Sequence, residues 1–150
     1  MAARASGLVR DIRSSHPWGK YATETKHESI TQHDGDVMSR LMMRCDEVQQ
    51  SVARIKSLLE GYTPETPSAR PDYECALKSE HLSFGLIEGW RGEICHVALT
   101  NSEGKISTYK VKEPSLHNWL ALALAVRGEG ISDFPICNKS FNLSYCGHDL

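Results

Sequence analysis

The sequence has no apolar run long enough to cross a bilayer. The longest, from Trp119 to Val126, falls far short of the roughly 20 residues a membrane helix needs. It has no basic excess either. Lys and Arg number 17 against 19 Asp and Glu, a net charge of -2 that makes nucleic acid a poor partner. Met1-Ala2-Ala3-Arg4 is not followed by the apolar core of a secretory leader. The five cysteines are scattered and odd in number, which argues against a disulfide framework and for free thiols. Internal repeats and low-complexity tracts are missing as well. What remains, 40% hydrophobic and 24% charged residues in a chain of 150, is ordinary globular composition. It fits one modest domain or part of a larger one.

Arg4-Ala5-Ser6-Gly7 and Asp11-Ile12-Arg13 open the chain with alternating charge. On physics alone they read as a solvated turn. Residues 22–33 are polar, and His27 and His33 read as exposed loop histidines with no third ligand spaced to join them. Asp34-Gly35-Asp36 then supplies a capping carboxylate for a long helix. Its apolar stripe is Val37, Leu41, Cys45, Val48, Val52, Ile55 and Leu59, in steps of three and four. Gly61 is a natural stop, since glycine accepts the left-handed conformation. Arg40, Arg44 and Glu47 share one helix face and suggest a surface ion-pair ladder. So long a one-sided helix needs partner helices, and the chain offers only one other convincing candidate.

Thr63 to Pro71 carries three prolines among small polar residues and reads as a linker. Beyond it, Ile94–Leu99 and Ile106–Val111 read as paired strands around an Asn101-Ser102-Glu103-Gly104 turn. Glu88-Gly89-Trp90-Arg91-Gly92-Glu93 stands at the loop-to-strand approach to this hairpin, where a rigid sheet can hold a cation over a cavity. Its plainer reading is a turn with exposed charges. His96 reads as a packed or strand-facing histidine before a relay. Ser115 can cap a helix from Leu116 to about Arg127, with Gly128 as its stop. Its residues leave little polar face, so it is expected to be buried. The last stretch, Asp133 to Leu150, mixes aromatics, cysteines, a histidine and acids, unlike a disposable tail. It reads as a buried or ligand-facing terminal segment.

These motifs resemble the large subunit of energy-converting membrane hydrogenases and its relative, the 49-kDa component of respiratory complex I, an NADH-quinone oxidoreductase. There an Ala-Arg-Ala-Ser-Gly segment leads to Asp-x-Arg, a proline and a tyrosine. Here Asp11, Arg13, Pro17 and Tyr21 follow in that order. The Gly-Asp-Val-x-x-Arg-x-x-x-Arg-x-x-Glu pattern is matched by Gly35, Asp36, Val37, Arg40, Arg44 and Glu47, then Gln50 and Ser51. Glu88, Arg91 and Glu93 stand where the family has Glu-x-x-Arg-Gly-Glu, and Pro114-Ser115 with Asn118 also follows the pattern. The resemblance implies an α+β fold. It comprises a long amphipathic bundle helix, a small antiparallel hairpin sheet, a buried helix and a C-terminal tail, all forming an incomplete portion of a larger fold. Residues 1–62 would hold the loop and bundle helix, 63–72 the linker, and 73–150 the hairpin, helix and cavity-lining tail. A large N-terminal half would precede them.

The resemblance also implies a role. The chain would belong to an NADH-quinone oxidoreductase or hydrogenase-like complex on the cytoplasmic side of a membrane. That complex would couple electron transfer, to quinone in some members, with ion translocation. Partners would be an iron–sulfur small subunit like the B component of complex I, carrying the cluster, a protein like its C component, and membrane subunits. Arg91 would point into the active cavity with Glu88 and Glu93 beside it. Ser144, Tyr145, His148 and Asp149 of the tail would line it. Where nickel–iron members end in Asp-Pro-Cys-x-x-Cys, this chain places Ser144 and Gly147 at the two cysteines. The tail is more similar to a hydrogenase-related branch without metal cysteines, so a nickel–iron centre is not expected. Two other readings stay open. One is a small zinc site on Cys137, Cys146 and His148, although the spacing has no Cys-x-x-Cys pair. The other is a non-catalytic interaction module that docks through the helix stripe.

Overall fold

The computed structural model describes residues 1–23, 27–63 and 75–146. Three one-turn helices, α1 (Ala2–Ala5), α2 (Ile12–Ser15) and α3 (Lys20–Thr23), punctuate the opening segment. Asp11 starts α2 by accepting the Arg13 backbone N–H at 2.9 Å. This opening segment is not a solvated turn. Arg4 and Ala5 are wholly buried, and Asp11 and Ile12 nearly so. Alternating charge suggests a hydrophilic surface, but Arg4, Arg10 and Arg13 each reach a carboxylate of a distant element, and Asp11 is held by Arg4 and Arg13. His27 is likewise buried, against Asp11, and only His33 stays outside the packed interior.

The long helix α4 runs from Val37 to Glu60, about 36 Å at 1.5 Å per residue. Asp36 caps it, its carboxylate accepting the Ser39 N–H at 2.7 Å. Gly61 ends it at φ -90°, in right-handed rather than left-handed geometry. Its buried residues are Ser39, Arg40, Met43 and Glu47, whereas Leu41, Val48, Val52, Ile55 and Leu59 are exposed. The helix therefore turns Arg40, Met43 and Glu47 inward and the expected apolar stripe outward. The surface ladder of Arg40, Arg44 and Glu47 does not form, because Glu47 pairs with Arg4 and Arg13 instead.

The sheet is an antiparallel meander of β1 (Leu82–Gly89), β2 (Gly92–Thr100) and β3 (Ile106–Lys112), in that order. The β2–β3 turn forms as expected, Asn101 Oδ1 accepting the Glu103 and Lys105 N–H groups. Strand β1 is an addition to the expected hairpin. Its presence makes Trp90-Arg91 a two-residue turn between paired Gly89 and Gly92, rather than a loop approaching a strand. Gly92 sits at φ 136°, and a Cβ there would come within 3.3 Å of Pro114 Cβ, so glycine is required.

Helix α5 (Pro114–Ala125) is capped by Glu113, which accepts the Ser115 N–H and hydroxyl, both at 2.7 Å. Ser115 is thus a first-turn residue rather than the cap. Helix α6 (Phe134–Phe141) ends at Asn142, whose φ of 52° is left-handed. The apolar core is small: Leu122, Cys137, Phe141 and Leu143, with Trp119 and several alanines packed on it. The α5 helix is not buried all round, since Leu116, Leu120 and Leu124 are exposed. No helix among the described residues is long and apolar enough to cross a membrane.

Candidate functional site

The β1–β2 turn presents Arg91 at the point where three elements meet. Arg91 Nε donates to the Asn142 carbonyl oxygen at 2.5 Å, and its own carbonyl accepts from Asn118 Nδ2 at 3.4 Å. Strand, α5 and the end of α6 are thereby pinned to one arginine. Two more guanidiniums approach the same helix end. Arg44 Nη2 donates to the Phe141 carbonyl at 2.9 Å. Arg40 donates to Ser140 Oγ at 2.9 Å and to the Gly35 carbonyl at 2.6 Å, and stacks 4.2 Å from the Phe141 ring centroid. Three cations suit the partial negative charge of a helix C-terminus. Burial lowers the proton affinity of Arg44, and the neighbouring charges of Arg40 and Arg91 lower it further.

Arg91, Glu88 and Glu93 line one cavity of about 350 Å³, joined there by Arg10, Lys112 and His117. Glu88 and Glu93 are register partners on β1 and β2. Glu93 accepts from Arg10 at 3.1 Å and from Lys112 at 3.4 Å, and the Arg10 hydrogen bond holds its carboxyl below the usual range. The Glu88 side chain is only 4% exposed, with Arg4 Nη2 at 3.1 Å and the Ile12 N–H at 3.2 Å. Burial pushes the Glu88 carboxyl above its ordinary value.

The tail meets Arg91 through Asn142. Ser144 lies further on, its N–H bonded to Ser115 Oγ at 3.0 Å. Tyr145 is 65% exposed and lines a separate depression with Phe134, Asn138 and Leu143. His148 and Asp149 lie outside the described residues. Cys137 is buried beside Arg40, and Cys146 is exposed. Among the described residues no three His, Cys, Asp or Glu side chains gather as metal ligands. His96 is exposed and bonded to the Tyr109 hydroxyl at 2.6 Å.

Sequence reasoning missed the cluster behind Glu88. Arg4 contacts Glu47, Glu88 and Asp11; Arg13 contacts Asp11 and Glu47; His27 contacts Asp11. No local pattern announces it, because its members come from separated segments.

Residues 1–84 match the family described as respiratory-chain NADH dehydrogenase, 49 Kd subunit. The chain belongs to that family. Similar curated proteins include the hydrogenase-4 component G of Escherichia coli K12, 29% identical over 92% of this chain and 24% of that protein. The carbon monoxide-induced hydrogenase of Rhodospirillum rubrum is 30% identical over 93% of this chain and 38% of its own length. NADH-quinone oxidoreductase subunit 4 of Thermus thermophilus is 28% identical over 87% of this chain and 37% of its own. The fold matches a chain of the membrane-bound sulfane sulfur reductase, an archaeal respiratory membrane complex. The TM-score is 0.83 at 22% identity, over 95% of this chain and 40% of that one. The chain thus spans about a quarter to two-fifths of the proteins it resembles.

Proposed function

We propose that this chain walls the reaction cavity of a membrane-associated oxidoreductase complex and docks there on an iron–sulfur subunit. Relatives named as NADH-quinone oxidoreductase subunits and hydrogenases support the reading. The observation that carries it is the setting of Arg91. It occupies a two-residue turn, is tied to the end of α6, and borders a cavity with two carboxylates. A guanidinium is a permanent cation, so it orients a polar acceptor, a quinone carbonyl for example, and stabilises negative charge developing on it. An iron–sulfur cluster on the partner would supply the electrons. Membrane subunits would carry the coupled ion, and a protein like the C component of complex I would stand beside them. The chain would sit peripherally, on the cytoplasmic side.

The tail argues against a nickel–iron centre here. Such a centre needs paired thiolates, but Ser144 stands at one thiolate position, Cys137 is buried against Arg40, and Cys146 is exposed. Nickel in stoichiometric amount in the purified complex would overturn this part.

The test is Arg91→Ala in the assembled complex. Turnover should fall about 100-fold, the usual effect of removing one preorganised donor, while the composition of the complex stays intact. Lost assembly would make Arg91 structural, and unchanged turnover would remove it from the cavity chemistry. The chain alone should show no oxidoreductase activity.

A further inference from the structure

We infer that the ionic cluster behind the cavity is a proton-binding site, holding one exchangeable proton on Glu88 beside Arg91. Six side chains build it. Asp11 accepts from Arg13 Nε at 2.9 Å and Nη2 at 2.7 Å. Glu47 accepts from Arg13 Nη2 at 2.8 Å and from Arg4 Nη1. Arg4 Nη2 reaches Glu88 at 3.1 Å, and His27 Nε2 lies 3.2 Å from Asp11. Arg4, Asp11, His27 and Glu47 are all buried residues, and the Glu88 side chain is nearly so.

The charges do not balance. Three carboxylates, Asp11, Glu47 and Glu88, face two permanently charged guanidiniums, Arg4 and Arg13. With every carboxylate ionised, and with His27 and the Met1 nitrogen neutral, the cluster would carry a surplus negative charge away from water, which is costly; burial favours the neutral form of both nitrogens. One bound proton removes it. Asp11 and Glu47 each touch both arginines, whereas Glu88 touches only Arg4. Glu88 is therefore the carboxylate with the fewest guanidinium partners, and the one that also borders the cavity.

The surrounding groups agree. Burial raises the Glu88 carboxyl, an effect reinforced by the Asp11 charge and opposed by Arg4, the Ile12 N–H and the Met1 nitrogen. Burial would raise Asp11 too, but the Arg13 hydrogen bond and the Arg13 and Arg4 charges hold it at about 2. Glu47 is held below the usual range in the same way, by Arg4 and Arg13. His27 faces Asp11, Arg13, Glu47 and the edge of the Tyr21 ring; burial and the Arg13 charge lower its proton affinity. Handing the Glu88 proton to a group in the cavity leaves Glu88 ionised and the cluster one charge negative. A proton from solvent water restores it.

The use of that proton rests on the cavity reading above; its presence does not. Infrared spectroscopy of the chain, its Met1 nitrogen acetylated and its glutamates 13C-labelled, should show one protonated glutamate carboxyl at neutral pH. The signal should vanish in Glu88→Gln. It should also vanish in Glu47→Gln, which removes the surplus charge and lets Glu88 ionise. A parent chain with all glutamates ionised, or a signal that survives Glu88→Gln, would overturn the site while leaving the cavity reading untouched. In the assembled complex, Glu47→Gln should move the basic limb of the pH–rate profile down by about one unit or more. A limb that stays put with the carboxyl signal present would make the proton structural and overturn its role.

Discussion

Arg4 stands at the centre of the ionic cluster. It is 0% exposed and contacts three carboxylates on three elements. Replacing it with Met should destabilise the chain by about 3–5 kcal/mol, because buried negative charges lose their partner. Arg4→Lys should lose less, keeping the charge but not the planar fork. Urea denaturation of the three chains compares them. Asp11 contributes to the acid side of stability. Its folded value of about 2 lies below the ordinary 3.8, so its contribution is fully present above about pH 4 and is lost as pH falls toward 2. The expected loss is about 2 kcal/mol. His27, lowered from 6.5, acts in the same direction, losing its contribution as pH falls below its ordinary value. Glu88 acts oppositely, its contribution being lost as pH rises through its raised value. Urea midpoints across pH should therefore fall steeply on the acid side, and Asp11→Asn should flatten that limb. None of these contacts was legible in the sequence. Arg4 and Glu88 stand 84 positions apart, and only chain folding brings them together.

At the scale of elements, α4 was legible in extent but not in orientation. Its Asp36 cap, its periodicity and its end all follow from local physics. Which face turns inward does not, because the buried side is chosen by Arg4, Arg13, Ser140 and Phe141. The outward stripe of Leu41, Val48 and Val52 is apolar surface of the kind that marks an interface. Changing these three to Gln should shift the stability of the isolated chain by only about 0.5 kcal/mol per site. The same changes should prevent co-purification with the complex. Denaturation and affinity isolation read the two effects separately, and a large loss of stability would place the stripe inside the fold. Strand β1 is hard to see in the sequence because Gly85, Gly89 and the adjacent Leu86-Ile87 blur its alternation.

In the molecule as a whole, two centres hold the described residues together. One is the apolar cluster of Leu122, Cys137, Phe141 and Leu143, and the other is the ionic cluster around Arg4. The cavity lies between the sheet that carries Glu88, Arg91 and Glu93 and the residues His117 and Asn118 of α5. Arg91 links that wall to the end of α6. Large apolar side chains on both α4 and the sheet are exposed, surface of the kind that marks an interaction site.

What depends on neighbours along the chain was legible before folding: the span of α4, the Asn101 turn, and the motif that puts Glu88, Arg91 and Glu93 within six residues. These follow from capping, periodicity and turn chemistry, which act over a few positions. Folding alone settles that the opening segment is buried, that α4 turns Arg40 and Glu47 inward, and that Glu88 meets one arginine where Asp11 meets two. Each of those is a matter of burial and of charge balance among distant residues, and neither quantity exists until the chain has folded.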